Sequence, residues 1–144
     1  MFQRIAVAYN ESVEAQRAFA AATQLAKIMG AQLQTITVMA DLPSYTAFAG
    51  IADPSLPRML DEDRIKFYEE LSEKARQSAQ DQGVDVLTNS VEGSEVDEII
   101  RFLRERKADL LVVGLHHQNL HIARLWSTVY ELAQEAPCSV LGVH

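Results

Sequence analysis

The sequence predicts an α/β fold: an open five-stranded parallel sheet with helices on both faces, Rossmann-like, in one domain spanning residues 1–144. Three observations predict it. Short apolar or β-branched runs recur at 3–9, 32–39, 84–91, 110–113 and 138–143. The segments between them carry apolar residues at spacings of three and four, the period of an amphipathic helix. No two strand runs follow one another directly, so each return to the sheet needs a crossover, which in such units is right-handed and leaves the strands parallel.

Each element has its own local cause. Gln3 to Tyr9 (QRIAVAY) is an apolar run suited to a strand covered on both faces. Asn10-Glu11-Ser12 breaks it with turn and N-cap residues. Val13 to Met29 follows as a helix, its core stripe made of Ala15, Ala18, Phe19, Ala22, Leu25, Ala26 and Met29, and Gly30 stops it. Gln32 to Met39 alternates and is β-branched from Thr35 to Val38, a second strand. Ala40 to Pro57, with three prolines and Gly50, reads as a long surface excursion. Arg58 to Gln82 is a charged, solvent-facing helix ended by Gly83, and Val84 to Val91 is the third strand.

Beyond Gly93, the run Ser94-Glu95-Val96-Asp97 resembles a capping box with Asp in place of Glu. It opens a helix that turns Val96, Ile99, Ile100 and Leu103 to the core and ends in the basic run Arg104 to Lys107, which suits the negative end of the helix dipole. Leu110 to Val113 is the fourth strand, Thr128 to Ala136 a short helix stopped by Pro137, and Cys138 to Val143 the fifth strand.

Composition narrows the function classes. The formal net charge is −7, which disfavours nucleic acid and anionic membrane surfaces, since both are bound through a basic face. No charged leader followed by an apolar stretch opens the chain, and no run of 18 apolar residues occurs, so neither a signal peptide nor a membrane span is expected. The single cysteine, Cys138, has no partner for an internal disulfide and stands at the start of an apolar strand. A small buried hydrophobe in a reducing cytoplasm is the expectation.

In sheets of this kind ligands sit beyond the carboxyl ends of the strands, where strand order reverses. Two loops are placed for that: Asn10 to Ser12 after the first strand and Gly114 to Ser127 after the fourth. A buried strand that passes through a glycine into a loop and a helix start is a common phosphate-binding arrangement. The loop is rich in histidine. His117 and His121 are four apart with His116 adjacent, yet no cysteine or carboxylate lies between Gly114 and Ser127, and a zinc site wants three or four ligands. No metal site is expected. Nor does any catalytic motif stand out: Gly-x-Ser-x-Gly, His-Glu-x-x-His and Gly-x4-Gly-Lys-Ser/Thr are all missing, and carboxylate runs such as Asp61-Glu62-Asp63 read as solvated helix faces.

Three stretches at these separations resemble the universal stress protein family: Ile5 to Ser12 opening a helix, Ala108 to Gly114 as the fourth strand, and Ala136 to Leu141 entering the last. The resemblance runs nearly end to end. ATP-binding members carry Gly-x2-Gly-x9-Gly-Ser/Thr, in which glycines let backbone N–H groups approach phosphate and the hydroxyl adds a donor. The corresponding positions here are Gly114, His117, Ser127 and Thr128, so two of three glycines are replaced. Asn10 stands where the family's aspartate follows the first strand, and Val38 and Met39 match positions that pack adenine. Ala8, Val113, His116 and Val129 flank these and complete the candidate nucleotide site.

The replacements matter unequally. At His117 a tight turn with φ > 0 is costly for any non-glycine residue, although its ring can itself donate to an anion. Ser127 can still offer its N–H at a helix start. Each of the other features also has a local explanation. Thr128-Val129-Tyr130-Glu131 is a capping box in its own right, Gly114 ends a strand, and Asn10 is a good turn residue.

The resemblance thus implies a cytoplasmic regulatory or binding module without strong catalytic activity, whose nucleotide pocket is degraded or altered. The alternative is a working binder of ATP or another adenine nucleotide, with at most slow hydrolysis. A third reading is a protein-interaction module whose partner meets the Ala40–Pro57 excursion. The resemblance also implies a homodimer through the C-terminal strand, Cys138 to Val143, and an apolar edge strand is a liability unless paired.

Overall fold

The computed structural model describes residues 1–39, 50–116 and 128–144. Strands β1 (Arg4–Ala8), β2 (Gln32–Met39), β3 (Val86–Glu92), β4 (Leu110–Gly114) and β5 (Ser139–Val143) alternate with helices α1 (Val13–Met29), α2 (Leu56–Asp81), α3 (Glu95–Glu105) and α4 (Thr128–Glu135). The strands form one sheet in the order β3-β2-β1-β4-β5, and every neighbouring pair is parallel. The expected α/β class and parallel five-stranded sheet are therefore what the chain adopts.

Strand periodicity sorts the core into two layers. Ile5, Val7, Leu33, Leu110 and Val112 face one side, where α1 adds Ala18, Phe19 and Ala22 and α2 adds Leu71, Ala75 and Ala79. Ala6, Ile36, Leu111 and Val113 face the other, beneath Ile99, Ile100, Phe102 and Leu103 of α3 and Leu132 of α4. Both faces being covered explains why β4 reads as an unbroken apolar run. A fully buried leucine or isoleucine such as Ile5, Leu33 or Leu111 contributes about 1.5–3 kcal/mol from its burial. The chain winds outward from β1 through β2 to β3, then crosses back to β4 and β5 on the far side of β1. Strand order therefore reverses between β1 and β4, and the carboxyl ends of these two strands are where sheets of this kind take their ligands.

Several boundaries differ from the sequence expectation, each for a local reason. Helix α2 begins at Leu56 rather than Arg58, because Pro57 occupies its first turn, where a missing N–H costs nothing. The expected surface excursion is correspondingly shorter at its end, and residues 40–49 lie outside those described. Strand β3 starts at Val86 rather than Val84, since the Val84 N–H donates to the Ala79 carbonyl and so belongs to the end of α2. Ser94 is the N-cap of α3 in extended backbone, but its hydroxyl makes no capping bond, so the capping box expected there does not form. Helix α4 ends at Glu135, one residue short of the expected Ala136.

The helix faces are also adjusted. In α1, Thr23 is buried with its hydroxyl donating to the Phe19 carbonyl, whereas Met29, expected in the core stripe, is exposed. Ile65 and Phe67 of α2 are exposed as well, so this helix is anchored by the buried Leu71, Ala75 and Ala79, with the half-buried Tyr68 packed beside them. Phe102 joins the core residues expected of α3.

Candidate functional site

The turn from β1 to α1 is built from its own side chains. The Ser12 N–H donates to Asn10 Oδ1 at 2.9 Å, an Asx-turn, and Ser12 Oγ accepts from the Ala15 N–H at 3.1 Å as the N-cap of α1. The Gln16 amide donates to the Asn10 carbonyl at 3.0 Å, and the Tyr9 hydroxyl donates to Gln16 Oε1 at 3.3 Å. Asn10 is exposed at the crevice mouth, with its side-chain oxygen already engaged in the turn.

β4 reaches the same place from the other side of the strand-order reversal. Its last residue, Gly114, lies so close to α1 that a Cβ there would overlap the Glu14 backbone carbonyl group and approach the Glu14 Cβ to 2.7 Å. Glycine at 114 is thus demanded by strand-to-helix packing, whatever it offers a phosphate. The next residue is pinned too: the Leu115 N–H donates to the Val143 carbonyl at 2.7 Å, and its side chain lies over Gly142.

One step further, His116 Nδ1 lies 2.7 Å from Glu14 Oε1. The hydrogen bond to His116 is the main reason the Glu14 carboxyl is held below the usual glutamate range. The carboxylate therefore stays ionised at neutral pH, astride the gap between α1 and the chain leaving β4. Two consecutive close approaches, backbone at Gly114 and side chain at His116, fix its position.

The candidate nucleotide residues divide into groups. Ala8, Val38 and Val113 lie on the sheet face covered by α3 and α4 and share one apolar cluster with Val129 of α4; Val113 is buried and the other three are half-buried. Asn10, Gly114 and His116 gather on the α1 side of the same opening. Met39, although adjacent to Val38, points to the opposite sheet face, as strand alternation requires. There it lines a hollow of about 790 Å³ between α2 and β3, with Ile65, Tyr68, Thr88 and Ser90. That hollow lies away from the reversal point, towards the β3 edge of the sheet. Thr128 is half-buried at the start of α4. His117 and Ser127 lie outside the described residues, as does His121.

Among the described residues, no group of three or more His, Cys, Asp or Glu side chains is arranged to hold a metal ion. Cys138 is half-buried, and burial foremost, with Asp109 nearby, pushes its thiol pKa up, which disfavours the reactive thiolate. Again among the described residues, no helix is long and apolar enough to cross a membrane.

Glu14 and Gln16 are the site residues that sequence reasoning missed. In sequence, Glu14 is an acid in the first turn of a helix, fully explained by the dipole. Its contact with a histidine 102 positions away has no local signature.

A model of the universal stress protein family matches residues 1–144. The chain is 26% identical over 144 residues to the universal stress protein MJ0531 of Methanocaldococcus jannaschii, covering 99% of this chain and 82% of that one. Among solved structures it is similar to a universal stress protein in complex with cAMP, with a TM-score of 0.77, 25% identity, and coverage of 99% of this chain and 97% of that one. It is also similar to a protein of the same family from Burkholderia pseudomallei, with a TM-score of 0.74, 26% identity, and coverage of 99% and 96%.

Proposed function

The chain belongs to the universal stress protein family, and on that premise we propose that it is a cytoplasmic, non-catalytic regulatory module, one domain over 1–144, that takes an adenine nucleotide in an altered pocket. The observation that carries this reading is the make-up of the β1/β4 crevice. An apolar floor of Ala8, Val38, Val113 and Val129 suits the flat face of a base. The rim above it departs from a phosphate cradle. Asn10 and Ser12 are engaged within their own turn, Gly114 is packed against α1, and the Glu14 carboxylate stands where anions would approach. A relative of the same fold in complex with cAMP supports an adenine ligand of modest charge.

Calorimetric titration of the full chain with cAMP, AMP and ATP, with and without Mg²⁺, tests this, together with mass spectrometry of any co-purified ligand. Saturable binding of at least one nucleotide, with no phosphate released from ATP, is the expected result. No heat with any of them and no ligand in the preparation overturns it.

The same reading includes a homodimer paired along β5. This strand is at the sheet edge, and its run Val140, Leu141, Gly142 and Val143 contains no charge, with Leu141 exposed. Edge strands meant to stay single carry charge. Leu141→Lys supplies one on the exposed side without opening the core. Light scattering should give twice the chain mass for the native protein and one chain mass for the variant; a native monomer at micromolar concentration removes the dimer.

A further inference from the structure

We infer that Glu14, held at the crevice mouth by His116, selects the nucleotide by its charge, favouring a monoanionic phosphodiester over a polyphosphate. The inference rests on the nucleotide reading above and deepens it, because that reading leaves open which nucleotide is taken.

The geometry carries it. Glu14 belongs to the first turn of α1, on the β1 side of the strand-order reversal, and His116 follows β4 on the other side. A 2.7 Å contact between Glu14 Oε1 and His116 Nδ1 spans the gap between them. The helix turn that carries the carboxylate is packed in place, since the Glu14 backbone is the surface against which Gly114 lies, and the His116 contact holds the carboxylate itself. It is also not neutralised by burial, since its side chain retains 22% of its exposure and that of His116 retains 64%. Glu11, exposed in the same turn, adds a second negative charge. A neutral imidazole leaves the pair with a net negative charge, and a protonated one only cancels it.

The N-terminus of a helix ordinarily attracts anions. Here Ser12 caps it and a fixed carboxylate stands on its first turn, which reverses that preference in proportion to ligand charge. Repulsion between partly exposed groups several ångströms apart is modest and screened by salt, but it multiplies with each added phosphate. cAMP, with a single negative charge, meets it once; uncomplexed ATP meets it several times over.

Glu14→Gln keeps the shape and the hydrogen bond to His116 while removing the charge. Affinities for cAMP and ATP are measured by calorimetry at pH 8 and low salt in EDTA, on the native protein and the variant. Expected is a gain of about tenfold for ATP and about twofold or less for cAMP, so that the preference for cAMP shrinks by about fivefold or more. A second variant, His116→Ala, leaves the carboxylate charged but untethered, and the preference should shrink by less than in Glu14→Gln. Equal changes for both nucleotides, or none, overturn the selector while leaving nucleotide binding standing. Absence of any binding in native protein and both variants overturns the nucleotide reading itself, and the selector with it. Thermal melts of the two variants that coincide with the native melt tie the affinity changes to charge rather than to unfolding.

Discussion

The two ends of the sheet are built differently. At the amino ends of the strands, each described connection is short and closed by backbone geometry. After α1, Gly30 takes φ +65° while the Ala31 N–H donates to the Ala26 carbonyl. After α2, Gly83 takes φ +76° and the Val84 N–H donates to the Ala79 carbonyl. The end of α3 repeats the pattern with the Ala108 N–H on the Leu103 carbonyl. Just beyond it, Asp109 clamps the start of β1 by accepting from the Gln3 and Arg4 N–H groups at 2.8 and 3.0 Å. At the carboxyl ends the Leu115 to Val143 backbone bond is joined by closing contacts that use side chains: Asn10 with Ser12, Gln16 with Tyr9, His116 with Glu14. The amino end is held chiefly by the chain's own conformation, with Asp109 as its side-chain clamp, and the carboxyl end depends more on side chains that a ligand or a substitution can displace. Stability should therefore be concentrated at the amino end and selectivity at the carboxyl end.

The exception at the carboxyl end is Gly114, and it gives the largest expected effect. Alanine there must push β4 away from α1, because the added methyl group overlaps backbone rather than the tip of a flexible side chain. Overpacking of this kind costs about 3 kcal/mol. Urea denaturation should show a lower midpoint with an unchanged slope, and any nucleotide affinity should fall as well, since the displaced strand carries Val113 and leads to His116. A variant with native stability that had lost only nucleotide affinity would reverse the reading of Gly114: its role would then be a cradle, and the packing against Glu14 incidental.

The contrast between the ends also explains what could be read from the sequence. The amino-end turns were legible because their causes are local: Gly30 and Gly83 each announce a left-handed residue at a helix end. The parallel sheet was legible because alternation of periods leaves few topologies. Loop positions at the carboxyl end followed from that topology. The rim was not legible. That Gly114 faces the backbone of Glu14, and that His116 meets its carboxylate, depends on the distance between α1 and β4, which no spacing within either element encodes. The split of Val38 from Met39 was implicit in strand alternation, yet a pair named together for a ligand conceals it. Ser94 failed as a capping box for a different reason: the pattern specifies residue types, not the rotamer of the hydroxyl, which here makes no bond to the first turn of α3.

The smallest effect expected lies at the turn that ends α3, where no glycine stands as it does after α1 and α2. Lys107 has φ +51°, in the same position at the end of α3 that Gly83 takes at the end of α2. A side chain in left-handed backbone costs roughly 1 kcal/mol, so Lys107→Gly relieves that strain. Two opposing contributions reduce the gain: glycine makes the unfolded chain more flexible, and a cation is lost from the negative end of the α3 dipole. Arg104 and Arg106 remain to serve that end, the latter with its guanidinium 5.8 Å from the centre of the Phe102 ring. The net change should be a stabilisation of about 0.5 kcal/mol, seen as a slightly raised urea midpoint with nucleotide affinity unaltered. A lowered midpoint would mean that the lysine charge outweighs backbone strain at this turn, and a changed affinity would mean that the two ends of the sheet are coupled through β4.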